Sequence, residues 1–348
     1  MKLLKTWFAK VFIISVLLIV TLVGLNFNKA RHNTNKNQYE SYAVKSIKII
    51  NKRGLIADEQ KWKKALKRTH YGHDITNYQQ LSYLVKQANK HSTILSPETV
   101  TYNQSDDIFP SLSLLRKYQV INVPRFYSAV IFNKDADRLT SKYIRILTKL
   151  IDKVASKQVI ILNFAGNVGG DVIPMVIGSA SLIPNGTLWR FIDKEGKATD
   201  IKLAKNRFLG QDKINSTKYK VHGKIDRPVI AIVDNRTAGS GELMILALKR
   251  NKRVITIGQK TAGFTSGNEI ALLDKKRKIF LNYTNSKVEA LTTADGRNIF
   301  FNQPIVPDII TENPPIINRT RYDSQGPISD VFWKEAKGKL EKHGVKLD

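Results

Sequence analysis

The residues best suited to chemistry lie in one small-residue stretch, Asn235-Arg236-Thr237-Ala238-Gly239-Ser240-Gly241-Glu242. It separates two apolar runs, residues 229–233 behind Pro228 and residues 243–248. The first is short, β-branched and opened by a proline, which predicts a buried strand; the second has the composition of a buried helix start. A turn between them lifts the Ser240 hydroxyl clear of the sheet. The helix behind it offers unpaired N–H groups and a positive dipole end to an oxyanion. This chemistry is nucleophilic attack; the structural alternative is that Ser240 only caps the helix, a role serine fills well.

A second corner, Asn163-Phe-Ala-Gly-Asn-Val-Gly-Gly-Asp171, repeats the order strand, glycine turn, helix between residues 159–162 and 172–177. Gly166-x-x-Gly169-Gly170 lacks the dinucleotide spacing, and no Gly-Lys-Ser/Thr follows, so no nucleotide cofactor is expected. Its glycines allow backbone N–H groups close to a ligand. His70 and His73 have no third ligand pattern beside them, so no metal is expected either.

The elements that position these corners can be read along the chain. Residues 43 to about 88 carry apolar side chains at near-helical spacing, as in Trp62-x-x-Ala65-Leu66 and Leu81-x-x-Leu84-Val85, which predicts a small helical cap ending at His91. Residues 120–132 alternate as strands do, and 137–155 form an amphipathic helix with Tyr143, Leu147 and Ile151 on one side. Residues 187–219 are basic and receive no assignment. Strands follow at 229–233 and 254–257, hairpins over 270–301, and a closing helix over 329–342. The alternation predicts an α/β class core with an open, largely parallel sheet whose loops meet at one edge.

Composition sets the surroundings. The 348 residues are 42% apolar, which excludes a disordered chain, and include no cysteine, which excludes disulfides and thiolate metal sites. The net charge is +28, but the lysines and arginines are scattered and match no nucleic-acid-binding pattern, so no nucleic acid is expected as partner. Residues 11–25 are uncharged within an apolar stretch, Trp7 to Phe27, of roughly the 20 residues that span a bilayer, and no convincing cleavage site follows. The expected organisation is a single-pass membrane anchor at 1–27, a polar linker at 28–42, the cap at 43–90 and the core at 91–348, outside the cytoplasm. The positive surface suits a place beside anionic lipid.

His91-Ser92, Gly166-Asn-x-Gly-Gly170, Thr237-Ala-x-Ser-Gly-Glu242, Gly258-x-x-Thr-x-Gly263 and Pro304-Ile-x-Pro-Asp308 occur in the order and spacing of the C-terminal-processing, tricorn-type serine peptidases. Over roughly His91 to Asp308 the chain resembles that family, and most closely the membrane-anchored nisin-resistance proteins. The resemblance implies a serine endopeptidase that clips the C-terminal part of a peptide, such as a nisin-like lantibiotic. Ser240 is then the nucleophile, His91 the base, and the N–H groups of Gly166 and Gly241 the oxyanion donors. Asn167, Gly169, Gly170, Pro174, Met175 and Thr237 are expected along the substrate groove. Three positions depart from the family pattern. Phe264 stands where the processing peptidases carry a lysine base, no carboxylate occurs near Phe301 or Asn302 to support the histidine, and the usual nucleophile position is Gly239. A catalytically impaired peptide-binding or immunity protein and a general protease of exported proteins are the competing readings.

Overall fold

The computed structural model describes residues 37–101, 109–127, 134–157, 159–204, 207–210, 223–293, 296–316 and 327–347. The expected anchor at 1–27 lies outside them; among the described residues, no helix is long and apolar enough to cross a membrane.

Three helices open the described chain: α1 (residues 37–53), α2 (Glu59–Arg68) and α3 (Tyr78–Ala88). Asp58 and Asn77 cap α2 and α3 by accepting from the N–H groups of Lys61 and Gln80, as short polar side chains before a helix do. Their apolar faces meet around Ile47, Trp62, Leu66 and Leu84, and this cluster continues into Leu281 and Tyr283 of the sheet below. The helices therefore form a lid fixed to a sheet, with β1 (Thr93–Leu95) as the first strand of that sheet.

The rest of the chain builds two sheets. Its elements are α4 (Pro97–Thr101), β2 (Ser111–Leu115), β3 (Tyr118–Asn122), α5 (Ala136–Val154), β4 (Ile160–Asn163) and α6 (Val172–Gly178). Then come β5 (Gly186–Asp193), β6 (Ala198–Ala204), β7 (Arg207–Leu209), β8 (Val229–Val233) and α7 (Ser240–Leu248). The chain closes with β9 (Val254–Gly258), β10 (Ser266–Asp274), β11 (Ile279–Thr293), β12 (Gly296–Phe300), β13 (Ile309–Ile310) and α8 (Asp330–Lys342).

The core sheet has the order β13-β9-β8-β4-β3-β2; β2 is an antiparallel edge and the other pairings are parallel. β4 and β8 are buried at every residue, because α5, α6 and α7 cover one face and α8 the other. That explains their unbroken apolar runs. α7 is apolar all round because it also meets β5 and β11 of the second sheet. The second sheet has the order β1-β11-β5-β6-β7, with β10 and β12 also paired to β11. The unassigned basic stretch thus contains a meander, β5 to β7, that pairs onto β11 through Phe191 and Val288.

Candidate active site

Both glycine corners stand at the same end of the parallel strands, β4 and β8, and hydrogen bonds tie one to the other. Asp234, buried just after β8, accepts from the N–H groups of Gly166 (2.9 Å), Arg236 (3.0 Å) and Thr237 (3.0 Å). Asn167 bonds through its carbonyl to the Ala238 N–H, and its side chain spans the Gly169 N–H and the Val123 carbonyl. Gly241 is required by closeness: a Cβ there would lie 2.8 Å from the Asn167 carbonyl oxygen. Glu242, fully buried, accepts from the N–H groups of Gly239 (2.9 Å), Gly263 (2.8 Å) and Phe264 (2.7 Å) and from the Thr261 hydroxyl. Burial pushes its carboxyl up from the usual range while these donors pull it back. Glu242 therefore shapes the turn from below.

Above this frame opens a pocket of about 430 Å³, lined among others by His91, Gly169, Gly170, Gly239, Ser240 and Ser266. His91 points its Nδ1 at the Ser266 hydroxyl, 2.8 Å away, and packs edge-on against Phe264 at 5.3 Å. Burial, reinforced by the neighbouring Lys90 ammonium, pushes its pKa down to about 4, so the ring is neutral above that pH. The Lys90 ammonium itself rests 4.8 Å from the centre of the Phe264 ring and donates to the Ala262 carbonyl.

The sequence brings Ser240 and His91 to one pocket, yet no hydrogen bond joins them. The Ser240 hydroxyl donates to the Gly170 carbonyl instead. The position that faces the imidazole is 239: a Cβ on Gly239 would lie 3.5 Å from His91 Nε2. Gly239 has φ 53° and ψ −116°, a conformation that strains any residue with a side chain.

Other expectations are corrected. The Gly166 and Gly241 N–H groups are committed to Asp234 and to the Ala238 carbonyl, so neither is available to an oxyanion. Gly170 and Ser240 line the pocket, and their N–H groups have no acceptor among the described residues. Asn167, Met175 and Thr237 are fully buried and Pro174 is also buried, so these four support the groove and do not line it. Only Gly169 and Gly170 of the expected groove residues reach the pocket.

The remaining walls come from residues the sequence reading passed over. Arg125 and Tyr127 follow β3, and Ser266 and Ile270 belong to β10. Burial and the nearby Arg236 push the Arg125 guanidinium down from its ordinary pKa, and burial beside Asp171 raises the Tyr127 phenol to about 12. No local motif marks them: β10 is one arm of the β10–β11 hairpin, and it meets His91 because β11 pairs with β1, nearly two hundred residues earlier in the chain.

A glycine elbow at the strand ends of a parallel α/β core, with a histidine set against it from the start of β1 in the second sheet, suits a serine peptidase. The sequence signature described as Peptidase family S41 matches residues 117–311, and the chain belongs to that family. It is 28% identical over 303 residues to a nisin-resistance protein from Lactococcus lactis subsp. lactis, spanning 85% of this chain and 89% of that one. It is also similar to the solved structure of a lipoprotein from Streptococcus agalactiae, with a TM-score of 0.67, 26% identity, and 88% and 97% of the two chains covered.

Proposed function

We propose that this chain is a peptide-binding member of the family, tethered outside the cell membrane by residues 1–27, which captures a nisin-like lantibiotic in the His91 pocket and so protects the cell. One observation carries the non-cleaving reading: the position that faces His91 Nε2 is Gly239, which has no hydroxyl. Two others support it. The adjacent Ser240 hydroxyl is engaged with Gly170, and an imidazole of pKa about 4 is a weak base at neutral pH. The likeness to a nisin-resistance protein over 85% of the chain supports the ligand. Apolar side chains in the pocket wall, among them Val168, Phe191 and Ile270, suit uncharged parts of such a peptide.

Cleavage by Ser240 is the second reading, favoured by the place of that hydroxyl in the same pocket at the start of α7. Incubation of the purified full chain with nisin, read by mass spectrometry and by calorimetry, separates the two. The binding reading expects intact peptide, bound with equal affinity by the wild type and by Ser240→Ala. Fragments that vanish with Ser240→Ala and with His91→Ala would establish the hydrolase instead.

A further inference from the structure

The face of α2 turned away from the lid's core is strongly basic. Lys61, Lys63, Lys64, Lys67 and Arg68 are all exposed, whereas Trp62 and Leu66 anchor the opposite face. No ion pair holds any of the five cations among the described residues. Asp58 and Glu59 sit at the other end of the helix, and the two acids at the basic end, Glu40 and Asp74, are paired with His73 and His70. This charge gradient has a direction in the fold. α1 and α2 run antiparallel: the Trp62 indole donates to Asn51 near the end of α1, while Glu40, near its beginning, pairs with His73. The basic end of α2 therefore lies beside the first turns of α1, where the chain arrives from the apolar run.

The turn after α2 adds an aromatic group at the same end. His70 and Tyr71 have φ of 41° and 55°, left-handed values that strain residues with side chains. The turn is pinned from beneath, where a Cβ on Gly72 would meet the Ile47 and Ala43 side chains at 3.0 and 3.1 Å. The result is a tyrosine 57% exposed next to the cations, the pairing of ring and basic side chains that suits a membrane–water interface. Residues 28–36 separate the apolar run from α1, and nine residues span at most about 32 Å.

We infer that the Lys61–Arg68 face of α2, with Tyr71, docks on the anionic phospholipid surface beside the anchor and fixes the orientation of the lid and the pocket above the membrane. The inference rests on the tether that is part of the proposed function. A cation near an anionic bilayer gains about fivefold in local binding, so five of them on one face make a salt-sensitive contact.

The test uses the full chain in nanodiscs of phosphatidylglycerol and, separately, of phosphatidylcholine, with lysine acylation followed by mass spectrometry. Lys63, Lys64 and Lys67 are expected to react about fivefold or more slowly on phosphatidylglycerol, and the protection should disappear at about 1 M salt. Equal reactivity on the two lipids overturns the docking. Failure of the chain to insert into either disc overturns the tether and is scored apart from it. Protection that appears on phosphatidylcholine discs only when lipoteichoic acid is added assigns the face to a wall polymer and also overturns the proposal. Tyr71→Gly relieves the left-handed strain, so its thermal midpoint should not fall while the protection of Lys67 drops about two- to fivefold; unchanged protection removes Tyr71 from the contact.

Discussion

The underside of the α7 corner and its pocket-facing side are held in different ways. Underneath, Asp234, Glu242, Asn167 and Thr237 hold two loops and the Gly263 turn in one arrangement, with eight hydrogen-bonded N–H groups and hydroxyls that include those of Gly166, Gly239 and Phe264. On the upper side, the residue aimed at His91 has no side chain and the next hydroxyl is turned to a carbonyl. The frame of the corner is thus closely bonded, while on its upper side the Ser240 hydroxyl is bonded to Gly170 and not to His91. What keeps the frame is stability, because a buried carboxylate with four donors cannot be removed without orphaning them.

The largest effect should follow from breaking the underside. Glu242→Ala leaves the N–H groups of Gly239, Gly263 and Phe264 buried without an acceptor and should cost about 3–5 kcal/mol in denaturant unfolding, with peptide affinity lost as well. A loss under about 1 kcal/mol would mean that the corner is held by other contacts. Next in size is the change that puts a hydroxyl on the upper side, against His91. Gly239→Ser places a side chain against His91 Nε2 in a strained backbone, so the protein should lose about 1–3 kcal/mol while gaining fluorophosphonate labelling and peptide cleavage. Stability lost with no labelling would show that more than the nucleophile is missing.

The smallest effect lies in pH. His91 is held neutral with a pKa near 4, against 6.5 unfolded, so the folded state binds fewer protons between those values. Its contribution is complete above pH 6.5 and is lost as the pH falls towards 4, a decline of about 2–3 kcal/mol in unfolding free energy. His91→Gln should flatten the curve over that interval; an unchanged slope would assign it to other groups.

The corners were legible in the sequence because both signals are local: a short all-apolar run, a glycine turn and a second apolar run permit little else. α5 was legible for the same reason, since its stripe of Tyr143, Leu147 and Ile151 follows the helical period within one segment. The departure at Gly239 was visible too, but its geometric meaning was not, because the imidazole it faces comes from a residue 148 positions away (239 − 91). The oxyanion donors were misassigned on the same grounds: only the fold shows that Asp234 already takes the Gly166 N–H. The places of the β5 to β7 meander and of the β10 wall depend on β11 pairing with β5 and with β1, segments far from it in the chain, which no single segment encodes.

One strand decides how a guest gets in. β11 is bonded to β1 and β10 along its first half and to β5 and β12 along its second, so lid, pocket wall and meander share a single ribbon. Swinging the lid away like a jaw would tear rungs from that ladder. The pocket wall and the lid are thereby held at a fixed spacing, so the width of the His91 pocket is set by the sheet and not by a hinge.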